Sequence, residues 1–152
     1  VSVPAPLEPL LFQRIAQTAV WGGRALVERL AVDAVPDVPV GETWELSDYP
    51  EATTAVRGGV CDGLALQQLL AEHADLLLGE SRLDRNGRFP LLVKFIEARQ
   101  DLSVQVHPPD DGLGSGEIGK TEAWYILPDS SVDASIIAGL RPGTDPASLA
   151  RD

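Results

Sequence analysis

The chain has 152 residues, 23% charged and 44% apolar, enough for one domain with a core and too few for two. A net charge of -11 argues against a nucleic-acid partner, whose phosphates it would repel, and against anionic membrane surfaces. Cys61 is the one cysteine, so there is no disulfide framework, and no spanning apolar run or basic leader is present; a cytoplasmic protein is expected.

Val1 to Pro9 is proline-rich and reads as extended, and Pro9 to Ile15 as a first strand. Trp21-Gly22-Gly23 reads as a tight turn whose glycines permit unusual backbone angles. Arg24 to Leu30 suits one or two helical turns, and Asp33 to Gly41, with two prolines, a loop. Glu42 to Ser47 and Thr53 to Val56 are short strand candidates around the turn Asp48-Tyr-Pro50. Asp62 to Leu78 is the clearest helix, because Leu66, Leu69, Leu70, His73 and Leu77 form one stripe. Asp62 is placed to cap its start and Gly79 to end it. Leu91 to Glu97, Leu102 to Val106, Thr121 to Leu127 and Ala134 to Leu140 follow as strands with turn chemistry between them. The pattern predicts a mainly β, α+β protein: a β-sandwich or barrel with a helical insertion at about 62–78.

The chain has no methionine and starts at Val1, and its last ten residues read as a helix just begun, with Thr144 or Asp145 as N-cap and Pro146 behind it. One N-terminal domain over 1–152, truncated at both ends, is therefore expected.

The stretch Asp101-Leu-Ser-Val-Gln-Val-His-Pro-Pro109 carries the strongest chemical signal. Residues two apart on a strand share a face, about 6.6 Å apart. Ser103, Gln105 and His107 thus share one face, and Leu102, Val104 and Val106 the other. On the later strand, Lys120 and Glu122 share a face with Trp124 and Ile126. Glutamine, histidine and glutamate on neighbouring strands suit a borderline divalent cation in an open site. Each residue has a plainer reading as well: His107 as a packed or capping histidine, Gln105 as a strand hydrogen-bonder, Glu122 as a solvent-facing acid. Lys94 lies in a run apolar on both faces and needs either a partner or a route to the rim. Lys94 and Lys120 suit a phosphate or a developing oxyanion, and Ser103 adds a hydroxyl. His73, among leucines, reads as packing, Cys61 as a small turn or core residue, and Glu42 as an ordinary strand glutamate.

Gly114-Ser-Gly-Glu-Ile-Gly119-Lys120-Thr121 matches the phosphate-binding loop G-x-x-x-x-G-K-[ST] letter for letter. That loop needs a strand before it and a helix after it. Here two prolines and two acids precede it, and a strand pattern ending at Pro128 follows, so nucleotide binding is rejected.

Trp21-Gly-Gly23, Gly41-Glu-Thr-Trp-Glu-Leu-Ser47, Phe89-Pro-Leu-Leu-Val-Lys-Phe95, Asp101 to Pro108 and Gly119-Lys-Thr-Glu-Ala-Trp-Tyr-Ile-Leu127 occur in this order. Together they resemble the type I mannose-6-phosphate isomerases, or phosphomannose isomerases, of the cupin superfamily, over the first half or less of a family member. The resemblance implies an incomplete jelly roll and one zinc ion. It maps three zinc ligands to Gln105, His107 and Glu122; the family's second histidine and a catalytic arginine come from a later region than this chain reaches. It implies that Ser103 and Lys94 hold the sugar phosphate, that Lys120 lies near the reacting carbons, and that Glu42 and Trp21 line the substrate cleft. The implied reaction converts mannose 6-phosphate and fructose 6-phosphate through a cis-enediol. The catalytic base is not assigned, the oligomeric state is open, and the 152 residues alone are expected to be inactive and poorly soluble. The alternative is a non-catalytic cupin module that binds a sugar phosphate. A cupin oxygenase would want more than one histidine in the first cluster.

Overall fold

The structure, a computed structural model, describes residues 8–34, 36–114, 117–128 and 133–145. The proline-rich segment 1–7, Ser115 and Gly116 of the glycine-rich loop, and the helix expected from Pro146 onward lie outside them. One unit ends at Lys120 and a second begins at Thr121.

In the first unit, β1 (Ile15–Gly23), β2 (Val40–Leu46) and β5 (Val93–Ile96) form an antiparallel sheet in the order β1-β2-β5. A short helix, α1 (Ala25–Leu30), follows β1, and β3 (Asp48–Tyr49) and β4 (Ala52–Thr53) form a small hairpin. The second helix, α2 (Leu66–Leu78), precedes β5, and a 3-10 turn covers Asp110–Gly112. This is the mainly β, antiparallel architecture with a helical insertion that the strand and helix patterns call for. Among the described residues no helix is long and apolar enough to cross a membrane.

The helix stripe places the core. Leu66, Leu69 and Leu70 are buried, and Leu69 joins Val56 and Cys61 in a cluster flanked by Leu10, Phe12, Leu64 and Leu77. The segment before β1 supplies part of that flank by pairing with the chain after β4: Phe12 bridges Val56, and Gln13 N–H donates to the Ala55 carbonyl at 2.8 Å.

Several boundaries differ from the sequence expectation, each for a physical reason. The helix starts at Leu66 rather than beside Asp62, because the Asp62 carboxylate is engaged by the Gly58 N–H. Gln68 Oε1 instead accepts the Ala65 N–H at 3.0 Å, the reciprocal half of a capping box. At the other end Gly79, with φ +56°, closes the helix as expected. At His73 the backbone leaves helical geometry, so α2 is two helical pieces joined at a kink.

Trp21-Gly-Gly23 is the end of β1 and not a turn. The first of its glycines is needed for close approach: a Cβ on Gly22 would stand 2.4 Å from the Val40 backbone, while one on Gly23 would stand 2.0 Å from Glu97 Oε1, the movable end of a side chain. That Glu97 carboxylate accepts the Leu26 N–H at 3.1 Å at the start of α1.

Residues 102–106, 121–127 and 134–140 belong to no strand. Their alternation is that of strands, but a strand exists only as a paired ladder, and no ladder partner for them is found among the described residues. Val104 and Val106, expected to face a core, are 94% and 73% exposed. In the second unit Trp124 and Ile126 are each 48% exposed, and Glu122 is half-buried.

Candidate functional site

Strand β2 carries Glu42 and Trp44 two apart, and β5 lies beside it with Lys94 opposite Trp44 and Ile96 opposite Glu42. In this register Glu42, Trp44 and Lys94 share a face. Lys94 Nζ donates to Glu42 Oε1 at 2.8 Å, with side chains 20% and 16% exposed. The indole N–H of Trp44 donates to Glu42 Oε2 at 2.7 Å, so both carboxylate oxygens are engaged. The Trp44 ring lies 5.8 Å from that of Tyr49, tilted by 49°. Lys94 therefore has the partner its apolar surroundings require, and that partner is Glu42.

Two bulges shape this face. Between Gln17 and Thr18 the register against β1 jumps from Glu42 to Val40, and between Lys94 and Val93 it jumps from Trp44 to Leu46. Each adds one residue to β2, first Gly41 and then Glu45, re-aiming neighbouring side chains. The first extra residue must be glycine, because the Trp21 ring stands within 2.6 Å of where a Cβ on Gly41 would lie. Trp21 thus covers the bulge beside Glu42.

A second pair joins Gln105 and Lys120. Lys120 Nζ donates to Gln105 Oε1 at 3.3 Å, and both side chains are exposed. His107 is half-buried and Ser103 exposed, both in the extended segment between β5 and the 3-10 turn. The chain after His107 folds back on itself. Gly119 N–H donates to Asp110 Oδ1 at 2.7 Å, and a Cβ on Gly119 would meet the Pro108 carbonyl oxygen at 2.7 Å. The glycine-rich loop therefore satisfies an amide with the chain's own carboxylate, where a phosphate-binding loop keeps its amides for a ligand. Arg85 Nη2 lies 2.9 Å from the other oxygen of Asp110 and ties this loop to the one before β5.

Gln105 and His107, both in the first unit, offer an amide oxygen and an imidazole nitrogen, donor types that suit zinc, and the third candidate, the carboxylate Glu122, belongs to the second unit. Among the described residues no three His, Cys, Asp or Glu gather at one point; the candidate set contains two of those types, with glutamine as the third. Two hollows of the first unit lie elsewhere. One of about 60 Å³ is lined by Leu64, Gln68, Leu69, Glu72 and His73, and a wider one by Arg14, Thr18 and Asp33. Neither includes a candidate residue.

Sequence reasoning passed over Trp44, although it alternates with Glu42 on one strand and that spacing was the available signal. It also passed over Asp48, read as a turn residue, and nothing local marks its burial at 3% exposure.

Comparison with known proteins sets these pairs in a family. The family model for the catalytic domain of type I phosphomannose isomerases matches residues 10–130. Mannose-6-phosphate isomerase ManA of Bacillus subtilis is 41% identical over 135 residues, covering 87% of this chain and 41% of the relative. The crystal structure of the mannose 6-phosphate isomerase from Bacillus subtilis superposes with a TM-score of 0.62 at 32% identity, over 73% of this chain and 35% of that one. A mannose 6-phosphate isomerase solved with zinc and yttrium superposes with a TM-score of 0.55 at 26% identity, over 68% of this chain and 26% of that one. The chain spans about two fifths of the length of the first two curated relatives it matches.

Proposed function

The chain belongs to the type I phosphomannose isomerase family, and from that premise we propose that it serves the interconversion of mannose 6-phosphate and fructose 6-phosphate. The observation that carries this reading is the family match across residues 10–130, which spans both pairs of candidate residues. In the proposed reaction a proton leaves C2 of the open-chain aldose and the C1 oxygen is protonated, giving a cis-enediol. The proton is returned at C1 while the C2 hydroxyl loses its own, which leaves the ketose.

Lys94, held by Glu42, and Ser103 bind the phosphate, and Glu42 and Trp21 line the sugar's path. Lys120 presents a cation to the sugar oxygens and moves protons to and from them. Gln105, His107 and Glu122 would hold one zinc ion, in keeping with the zinc-bound relative and with the donor set. When bound, the metal supplies a Lewis acid that steadies negative charge on the enediolate oxygens. A cytoplasmic setting is supported by Cys61, which is a buried free thiol.

The test is a coupled isomerase assay on the gene product, with and without chelator, beside His107→Ala. Chelator-sensitive conversion of mannose 6-phosphate that is lost in the variant is the expected result. Zinc and sugar-phosphate binding without turnover would overturn catalysis and leave a binding module. Turnover indifferent to chelator and to His107 would overturn the metal assignment.

A further inference from the structure

The Asp48 carboxylate is 1% exposed, yet it is poorly provided for. One oxygen accepts the Phe89 N–H at 3.0 Å, while Oδ1 has no hydrogen-bond partner among the described residues and sees the Arg88 guanidinium at 3.9 Å. A buried carboxylate costs free energy unless it is paired and hydrogen-bonded. Apolar packing would fill the position at less cost, so the acid serves geometry.

The surrounding bonds point to what it holds. Asp84 Oδ1 accepts the N–H groups of Asn86 and Arg88, each at 2.8 Å, and so shapes a tight turn. From that turn Arg88 Nη1 donates to the Asp48 carbonyl at 2.8 Å, and the next residue, Phe89, gives its amide to the Asp48 side chain. Asp48 stands two residues past Leu46, the last β2 residue in register with β5, and Phe89 stands four before Val93, the first of β5. The clasp therefore joins the exit of β2 to the approach of β5, at the end of the ladder nearest the Glu45 bulge. A bulge permits more than one register, and a one-residue slip of β5 would carry Lys94 to the opposite face.

We infer that Asp48 is a positioning residue: through Phe89 and Arg88 it fixes the register of β5 and so keeps Lys94 on the face of Glu42. Its consequence for substrate rests on the proposal that Lys94 binds the sugar phosphate; the positioning itself does not.

The chain has two lysines, Lys94 and Lys120, which makes amine acylation followed by mass spectrometry a direct readout with an internal control. Without sugar, Asp48→Ala is expected to raise the acylation rate at Lys94 severalfold and leave Lys120 unchanged. An unchanged Lys94, or a rise matched by equally faster hydrogen exchange in the core helix around Leu69, overturns the inference in favour of general stabilisation. Should Asp48→Ala fail to fold, Asp48→Asn decides, since it keeps an acceptor for Phe89 and loses the attraction for Arg88. It is expected to speed hydrogen exchange at the Phe89 amide and acylation at Lys94 together; faster exchange with Lys94 unchanged, or no change in either, overturns the positioning role. Adding mannose 6-phosphate to the unaltered protein separates the two claims. If Lys94 gains no protection while the Asp48 effect stands, the phosphate assignment falls and the positioning role survives.

Discussion

The Glu42–Lys94 pair is where structure and proposed chemistry meet, and its strength can be worked from the geometry. At the 2.8 Å separation of Lys94 Nζ and Glu42 Oε1, unit charges attract by about 6 kcal/mol gross at an effective dielectric of about 20. Desolvation offsets most of that. Breaking a fully buried pair by removing one partner costs about 3–5 kcal/mol, whereas exposed pairs are worth about 0–1 kcal/mol. With both side chains about one-fifth exposed, the coupling is expected between these limits, at about 2 kcal/mol. The perturbation is the cycle Glu42→Gln, Lys94→Met and the double variant. Gln keeps an acceptor for Lys94 or the Trp44 indole, while Met leaves a half-buried carboxylate with the indole alone, so Lys94→Met is expected to be the more damaging single change. Urea unfolding followed by tryptophan fluorescence reads each variant, with Trp44 beside the pair as a local reporter. The double variant should be less destabilised than the sum of the singles. A coupling below about 0.5 kcal/mol, the scatter of independent sites, would refute the view that burial makes this pair matter.

Leu69→Ala, at a position 1% exposed against Val56 and Cys61, is expected to cost about 2–5 kcal/mol in denaturant unfolding, and a loss within surface-substitution scatter would contradict the placement of the core. Gly41→Ala would put a methyl 2.6 Å from the Trp21 ring; a cost of about 1–3 kcal/mol and a shifted Trp21 emission are expected, read in a background with Trp44 and Trp124 changed to Phe. Ala31 ends α1 with φ +49°, so Ala31→Gly should stabilise the chain by about 0.5–1 kcal/mol on thermal unfolding, and a lowered Tm would show that no strain is stored there.

What could be read from the sequence follows the range of the forces involved. The stripe of α2 is a local pattern, and so is the alternation that puts Glu42 and Trp44 on one face. Lys94 announced that it needed a partner, because a cation in an apolar run does; that the partner was Glu42 depends on a pairing across fifty-two residues. Trp21-Gly-Gly23 misleads for the same reason. Two glycines suit a turn equally well, and the backbone that forbids a Cβ at Gly22 belongs to Val40. Asp48 looks like turn chemistry until Phe89, forty-one residues later, delivers its amide. The strand patterns at 102–106 and 121–127 are real alternations, yet no ladder pairs them among the described residues.

The two pairs of candidate residues are held in different ways. Glu42 and Lys94 ride on adjacent strands of a ladder, enclosed by an indole, two bulges and the Asp48 clasp, so their separation is fixed before any ligand arrives. Gln105 and Lys120 meet at 3.3 Å between exposed side chains, and Gln105 and His107 lie on a segment that belongs to no strand. Groups held in place before a ligand arrives act at no ordering cost. Lys94, proposed to bind the phosphate, therefore stands on the ladder, whereas Ser103, its proposed companion, is exposed on a segment outside any strand. The segment that carries Gln105 and His107 is held from its far end instead, where Asp110 takes the Gly119 N–H and faces the Arg85 guanidinium.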